Sequence, residues 1–134
     1  MTENAQQAMD LAKSFLSKIE DMDFDGVGEM LAPEAVIAFP FSPGAEPIEG
    51  RQAAVEYLTQ GVKQTLDKIS FTYDAFYPGA EPNELIVEYQ STGIRAGNNG
   101  AYQNNYIAVF RFKGDKIILW KEYFDILKAR GENL

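Results

Sequence analysis

Two apolar runs joined by a tight turn close the chain, and they leave few folds open to it. The first, YQNNYIAVFRF, covers Tyr102 to Phe112; the turn is KGDK, and the second run, IILWKEYFD, covers Ile117 to Asp125. Side chains alternate across a strand. Tyr106, Ala108, Phe110 and Phe112 therefore share one face of the first run, and Ile118, Trp120, Glu122 and Phe124 one face of the second. The opposite sets are Ile107, Val109 and Arg111, then Ile117, Leu119, Lys121, Tyr123 and Asp125. Both faces of this hairpin are largely apolar, so each needs a cover. The pattern implies a ligand cavity on one side and a partner surface on the other. One carboxylate, Glu122, falls inside the aromatic row between Trp120 and Phe124.

Helices precede the sheet. Ala5, Ala8, Met9, Ala12, Phe15, Leu16, Ile19 and Met22 follow helical spacing, with Thr2 or Asn4 as the capping residue. A shorter helix is expected from Asp25 to Leu31, stopped by Pro33. AVIAF, Ala35 to Phe39, reads as a strand, and the proline-rich loop that follows has no periodicity to fix the path from Phe41 to Pro47. Ala54, Leu58, Val62 and Leu66 mark a third helix with Tyr57 beside the stripe. Strands are then expected from Ile69 to Tyr77, with Phe71, Tyr73, Ala75 and Tyr77 on one face, and from Glu84 to Ile94. Gly97-Asn98-Asn99-Gly100 and Gly114-Asp115 supply hairpin turns, and Asp125 caps a final helical turn stopped by Gly131. Helices gathered on one face of a mainly antiparallel sheet make an α+β fold, here one domain over residues 1–134.

Composition narrows the chemistry. The chain has 134 residues, enough to bury roughly two-thirds of its unfolded surface. Twelve basic against 20 acidic residues give a net charge of −8, which argues against nucleic acid and anionic membranes as partners. There is no histidine and no cysteine, so Cys/His zinc sites, cysteine nucleophiles, disulfides and histidine-centred triads are excluded. Proton chemistry falls to Asp, Glu, Tyr, Lys or water. No cofactor is expected. The polar start MTENAQQ does not read as a signal peptide and no stretch approaches a membrane span, so a cytoplasmic protein is expected.

Trp120-Lys121-Glu122-Tyr123-Phe124-Asp125 resembles the W-R-D-Y-F-D of limonene-epoxide hydrolases. Gly100 to Tyr106 together with Lys121-Glu122-Tyr123 is similar to the small dimeric phenazine-biosynthesis proteins. The chain thus resembles the SnoaL-like branch of the nuclear-transport-factor-2-like superfamily. This implies a cone of three N-terminal helices on a curved sheet. Carried over position by position, the resemblance keeps one acid and loses others. Phe39, Phe15 and Ala108 stand where steroid isomerases of this fold carry a base and two oxyanion-hole groups. The arginine and first aspartate of the epoxide hydrolases fall near Tyr89 and Ser91. The histidine partner of the phenazine proteins has no counterpart here. Only Glu122 keeps its chemistry in every comparison.

Glu122 is thus the expected catalytic residue, a general acid or base for isomerisation, cyclisation or hydration of an apolar or aromatic metabolite. The expected pocket comprises Phe15, Phe39, Tyr57, Tyr73, Tyr89, Ser91, Tyr106, Ala108 and Trp120, with Tyr102 a further candidate hydroxyl. The rival is a non-catalytic binder of an apolar metabolite, or a helper subunit. Ile107, Val109, Leu119 and Tyr123 are expected to join a homodimer. Asp21 to Gly26 matches half of a calcium loop, but Ala32 stands where the bidentate glutamate is required, so the segment reads as a capped inter-helix turn.

Overall fold

The computed structural model describes residues 3–131. Helix α1 runs from Glu3 to Glu20, α2 from Phe24 to Met30, strand β1 from Leu31 to Ala38, and β2 over Ile48–Glu49. Helix α3 (Arg51–Thr65) follows, then β3 (Leu66–Pro78), β4 (Glu84–Arg95), β5 (Ala101–Lys113), β6 (Lys116–Phe124) and the short α4 (Ile126–Ala129). The strands form one sheet in the order β2-β1-β6-β5-β4-β3, antiparallel except for the β1–β6 pair. This is an α+β fold with helices over one sheet face. Helix α1 crosses β3 and β4, α3 lies against β1, and α2 bridges the two.

The stripe on α1 does what its spacing implies. Ala12, Phe15, Leu16 and Ile19 are buried, and Phe15 meets Phe110 and Trp120 edge-on at 6.0 and 5.0 Å. At its end, Glu20 accepts the Phe71 N–H at 2.7 Å and ties the helix to β3. Thr2, one capping candidate, lies outside the described residues; Asn4, the other, sits within the first turn rather than ahead of it. Asp23 caps α2 by accepting the Gly26 N–H at 3.0 Å. Arg51 anchors α3 to β1 through Leu31 O at 2.9 Å. Gly97 and Asn99 take φ values of +89° and +57° in the β4–β5 turn, as hairpin chemistry requires.

Three strand details differ from simple alternation. First, β1 starts at Leu31, so Pro33 lies inside a strand instead of ending a helix. Its missing N–H falls in the interval between Leu31 and Val36 where pairing with β6 is interrupted. Second, Arg111 pairs with Leu119 but Phe112 with Ile117, so Ile118 is the extra residue of a bulge. Ile117, expected outside, is consequently fully buried, while Ile118 is only half-buried. Third, Tyr73 pairs with Tyr89 but Ala75 with Glu88, leaving Asp74 as a second bulge. Phe76 thus turns inward, and Ala75 and Tyr77 leave the face they were expected to share with Phe71 and Tyr73. Leu66, expected in α3, is the buried first residue of β3.

Candidate active site

The inner face of the sheet is filled by α1 along most of its length, but α1 ends at Glu20. Beyond it, between Ile19, the apolar side of α3 and the ends of β3 to β6, remains a half-open cavity of about 340 Å³. Alternate residues of β6, Trp120, Glu122 and Phe124, line it, as do Tyr102 and Tyr106 of β5. Phe71, Ile69 and Leu66 of β3 contribute from the far edge, with Leu58, Gly61, Val62 and Thr65 of α3 opposite. Phe39, just past β1, stacks on Tyr57 at 5.7 Å and meets Trp120 edge-on at 5.5 Å. Ser42, Arg95 and Ala129 complete the wall.

Glu122 is only 7% exposed. Its carboxyl group accepts a hydrogen bond from the Tyr89 hydroxyl, itself buried. Among the described residues it makes no ion pair; the two salt bridges there join Arg111 to Glu84 and Lys113 to Glu34. Burial without a counter-ion penalises the charged form. It pushes the Glu122 carboxyl from the usual 4.5 up to about 8, while the Tyr89 hydrogen bond pulls the other way. The phenols respond in kind. Burial, reinforced by Glu122, drives Tyr89 and Tyr106 well above the ordinary phenol range. Both remain neutral donors. The Trp120 indole N–H is buried and makes no hydrogen bond of normal geometry, though it is near enough to the Tyr89 oxygen to favour that phenol's ionised form.

A second polar group sits nearby. Tyr106 shares a hydrogen bond with Ser91 at 2.7 Å, and its ring stacks on Tyr89 at 4.9 Å. Asn104, fully buried, donates to the Tyr102 hydroxyl at 2.9 Å and to Asp125 O at 3.1 Å.

The expected residues thus divide in two. Glu122, Phe39, Tyr57, Tyr106 and Trp120 line the cavity. Phe15, Tyr89, Ser91 and Ala108 face the same side of the sheet but are closed off in the core, and Tyr73 packs beside Phe76 under Lys13. Strand parity gives the face, not the depth at which a helix covers it. Tyr89 still acts on the site through its hydroxyl. Arg95, Phe71, Phe124, Ser42 and Ala129 were missed. Phe124 shares the Trp120–Glu122 face and Phe71 the face of Tyr73, so strand parity makes both legible; Arg95, Ser42 and Ala129 depend on where the turns and α4 come to rest.

Tyr89→Phe removes the hydrogen bond that favours ionised Glu122. The Glu122 midpoint is then expected to rise above its wild-type value in a carboxyl carbon-13 NMR titration. A lowered midpoint contradicts this account of the site.

A six-stranded sheet with helices over one face and a lined cavity at their open end defines an NTF2-like, pocket-bearing α+β protein. The chain belongs to the SnoaL-like domain family, whose model matches residues 12–120. It is 27% identical over 127 residues to YesE, an uncharacterised Bacillus subtilis protein, covering 93% of this chain and 86% of that one. It is 26% identical over 115 residues to an uncharacterised PhzA/B-like protein of Pseudomonas aeruginosa, covering 84% and 80%. The structure superposes on that of a Bacillus subtilis protein provisionally named an isomerase, with TM-score 0.85, 25% identity and 99% of each chain covered. Against an LEH-like epoxide hydrolase of M. tuberculosis the TM-score is 0.74 at 20% identity, over 95% of this chain and 89% of that one. No helix among the described residues is long and apolar enough to cross a membrane.

Proposed function

We propose that the protein is a cofactor-independent enzyme acting on a small, largely apolar molecule, with Glu122 as its proton-transfer residue. One observation carries this: a buried carboxyl without a counter-ion in the wall of an apolar cavity. A carboxyl group titrating near 8 is largely protonated at neutral pH and serves as a general acid. It passes its proton to an epoxide or carbonyl oxygen as the C–O bond breaks or the C=O polarises. The carboxylate left behind takes a proton from the incoming nucleophile, a substrate hydroxyl in cyclisation or water in hydration. The acid is thereby restored within one turnover. Neighbours bearing isomerase and epoxide hydrolase names fit this class of reaction.

A thermal-shift screen of small apolar epoxides and carbonyl compounds tests the proposal, followed by turnover assays on the hits. Hits are expected to be turned over by the wild type and bound without turnover by Glu122→Gln. Binding without turnover in both proteins supports the rival instead, a non-catalytic binder. That reading draws on Phe15, Phe39 and Ala108, which leave apolar the positions where related isomerases carry catalytic groups.

The protein is further proposed to be a homodimer through the outer sheet face. Ile107 is 41% exposed there, beside Tyr123 across the β5–β6 ladder, with Val109 and Leu119 half-buried on the same side. Phe41 covers only part of this surface, lying edge-on to Tyr123 at 5.0 Å. Sedimentation equilibrium at micromolar concentration is expected to give a mass of two chains; a mass of one chain refutes the dimer.

A further inference from the structure

Among the described residues one permanent cation lines the cavity. Arg95 ends β4 and reaches the wall beside Tyr102, its guanidinium carbon 4.9 Å from the ring centroid. Two of its N–H groups clasp α4, Nη2 donating to Lys128 O at 2.9 Å and Nη1 to Ala129 O at 3.4 Å. An arginine carries five N–H donors. The rest meet no acceptor among the described residues, and no described carboxylate forms an ion pair with Arg95. The Tyr102 hydroxyl beside it already accepts from Asn104 at 2.9 Å, so its own proton is directed elsewhere. Its contact with the Tyr106 oxygen, at 3.5 Å, is long for an O–H···O hydrogen bond.

A guanidinium with N–H groups to spare, stacked over the ring of a tyrosine whose hydroxyl has only a long contact for its proton, suits a carboxylate. The geometry points to a small apolar carboxylic acid as the substrate class, its carboxylate held at the Arg95–Tyr102 corner and its reactive oxygen toward Glu122. This rests on the proposal that the cavity is the substrate site. The net charge of −8 gives an anion no long-range attraction, so recognition depends on this local corner. The remaining walls, Phe39, Phe71, Trp120 and Phe124, suit an aromatic or alicyclic body.

Calorimetry at neutral pH with phenylacetate and trans-cinnamate, against their carboxamides, tests the assignment. The acids are expected to bind roughly ten- to a hundredfold tighter than the amides, the range of one charge-assisted hydrogen-bonded contact. Arg95→Gln is expected to abolish that preference. Because Arg95 also clasps α4, Tyr102→Phe serves as a second variant. It keeps the clasp and is expected to lower acid affinity severalfold. Equal affinity for acids and amides in the wild type overturns the assignment, as does an acid preference that survives Arg95→Gln. Glu122→Gln separates this inference from the proposed catalysis. An Arg95-dependent acid preference that persists in Glu122→Gln upholds the corner, whether or not turnover depends on Glu122. A preference lost in Glu122→Gln but kept in Arg95→Gln refutes the corner and leaves the role of Glu122 standing.

Discussion

Glu122→Gln is expected to make the protein more stable than the wild type above neutrality and to leave it nearly unchanged at pH 4.5. In the unfolded chain this carboxyl ionises near 4.5, and in the folded protein near 8. Below the lower value both states hold the proton, and the group adds no pH dependence. Between the two values the unfolded state sheds its proton while the native state retains it, so rising pH favours unfolding. The loss is about 1.4 kcal/mol per pH unit across that window, several kcal/mol in all, and it levels off once the folded group ionises. Glutamine has no proton to lose and keeps the shape and the contact with Tyr89. Urea denaturation of both proteins from pH 4.5 to 9 reads the difference directly. Stabilities that run parallel across the series contradict the burial of an acid without a counter-ion.

Phe15→Ala is expected to have the largest effect on the fold itself, about 3–5 kcal/mol of stability. The ring is fully buried and braces both Phe110 and Trp120 edge-on. Truncation leaves a void that the rigid inner face of the sheet cannot collapse to fill. It also removes the support behind Trp120, so the cavity wall beside Glu122 loosens. Urea unfolding is expected to show a lower midpoint with an unchanged slope. A loss under about 1 kcal/mol would place Phe15 outside the central packing.

How far the sequence led can be judged from particular residues. The period-3.6 stripe of α1 and the period-2 rows of β4 and β5 were plain, because each strand there keeps its register from end to end. The inward direction of Glu122 followed from the same parity. Ile117 and Tyr77 were misplaced because a bulge adds one residue without leaving a mark in composition. Pro33 reads as a helix stop in sequence because its tolerance within β1 depends on an interruption of pairing between distant segments. The cavity was legible as a row of aromatics but not in outline. Tyr89, Ser91 and Ala108 point inward yet are closed off in the core, while Arg95 reaches the wall with its guanidinium bonded to α4. Those features are set by tertiary contact, which local pattern does not encode.

The central claim is that Glu122 holds its proton in the folded protein at neutral pH. Carboxyl carbon-13 NMR of glutamate-labelled protein, with Glu122→Gln to assign the signal, measures this in one titration. The account predicts a midpoint near 8 for Glu122. A midpoint between 4 and 5, the range of an ordinary solvated glutamate, would contradict it.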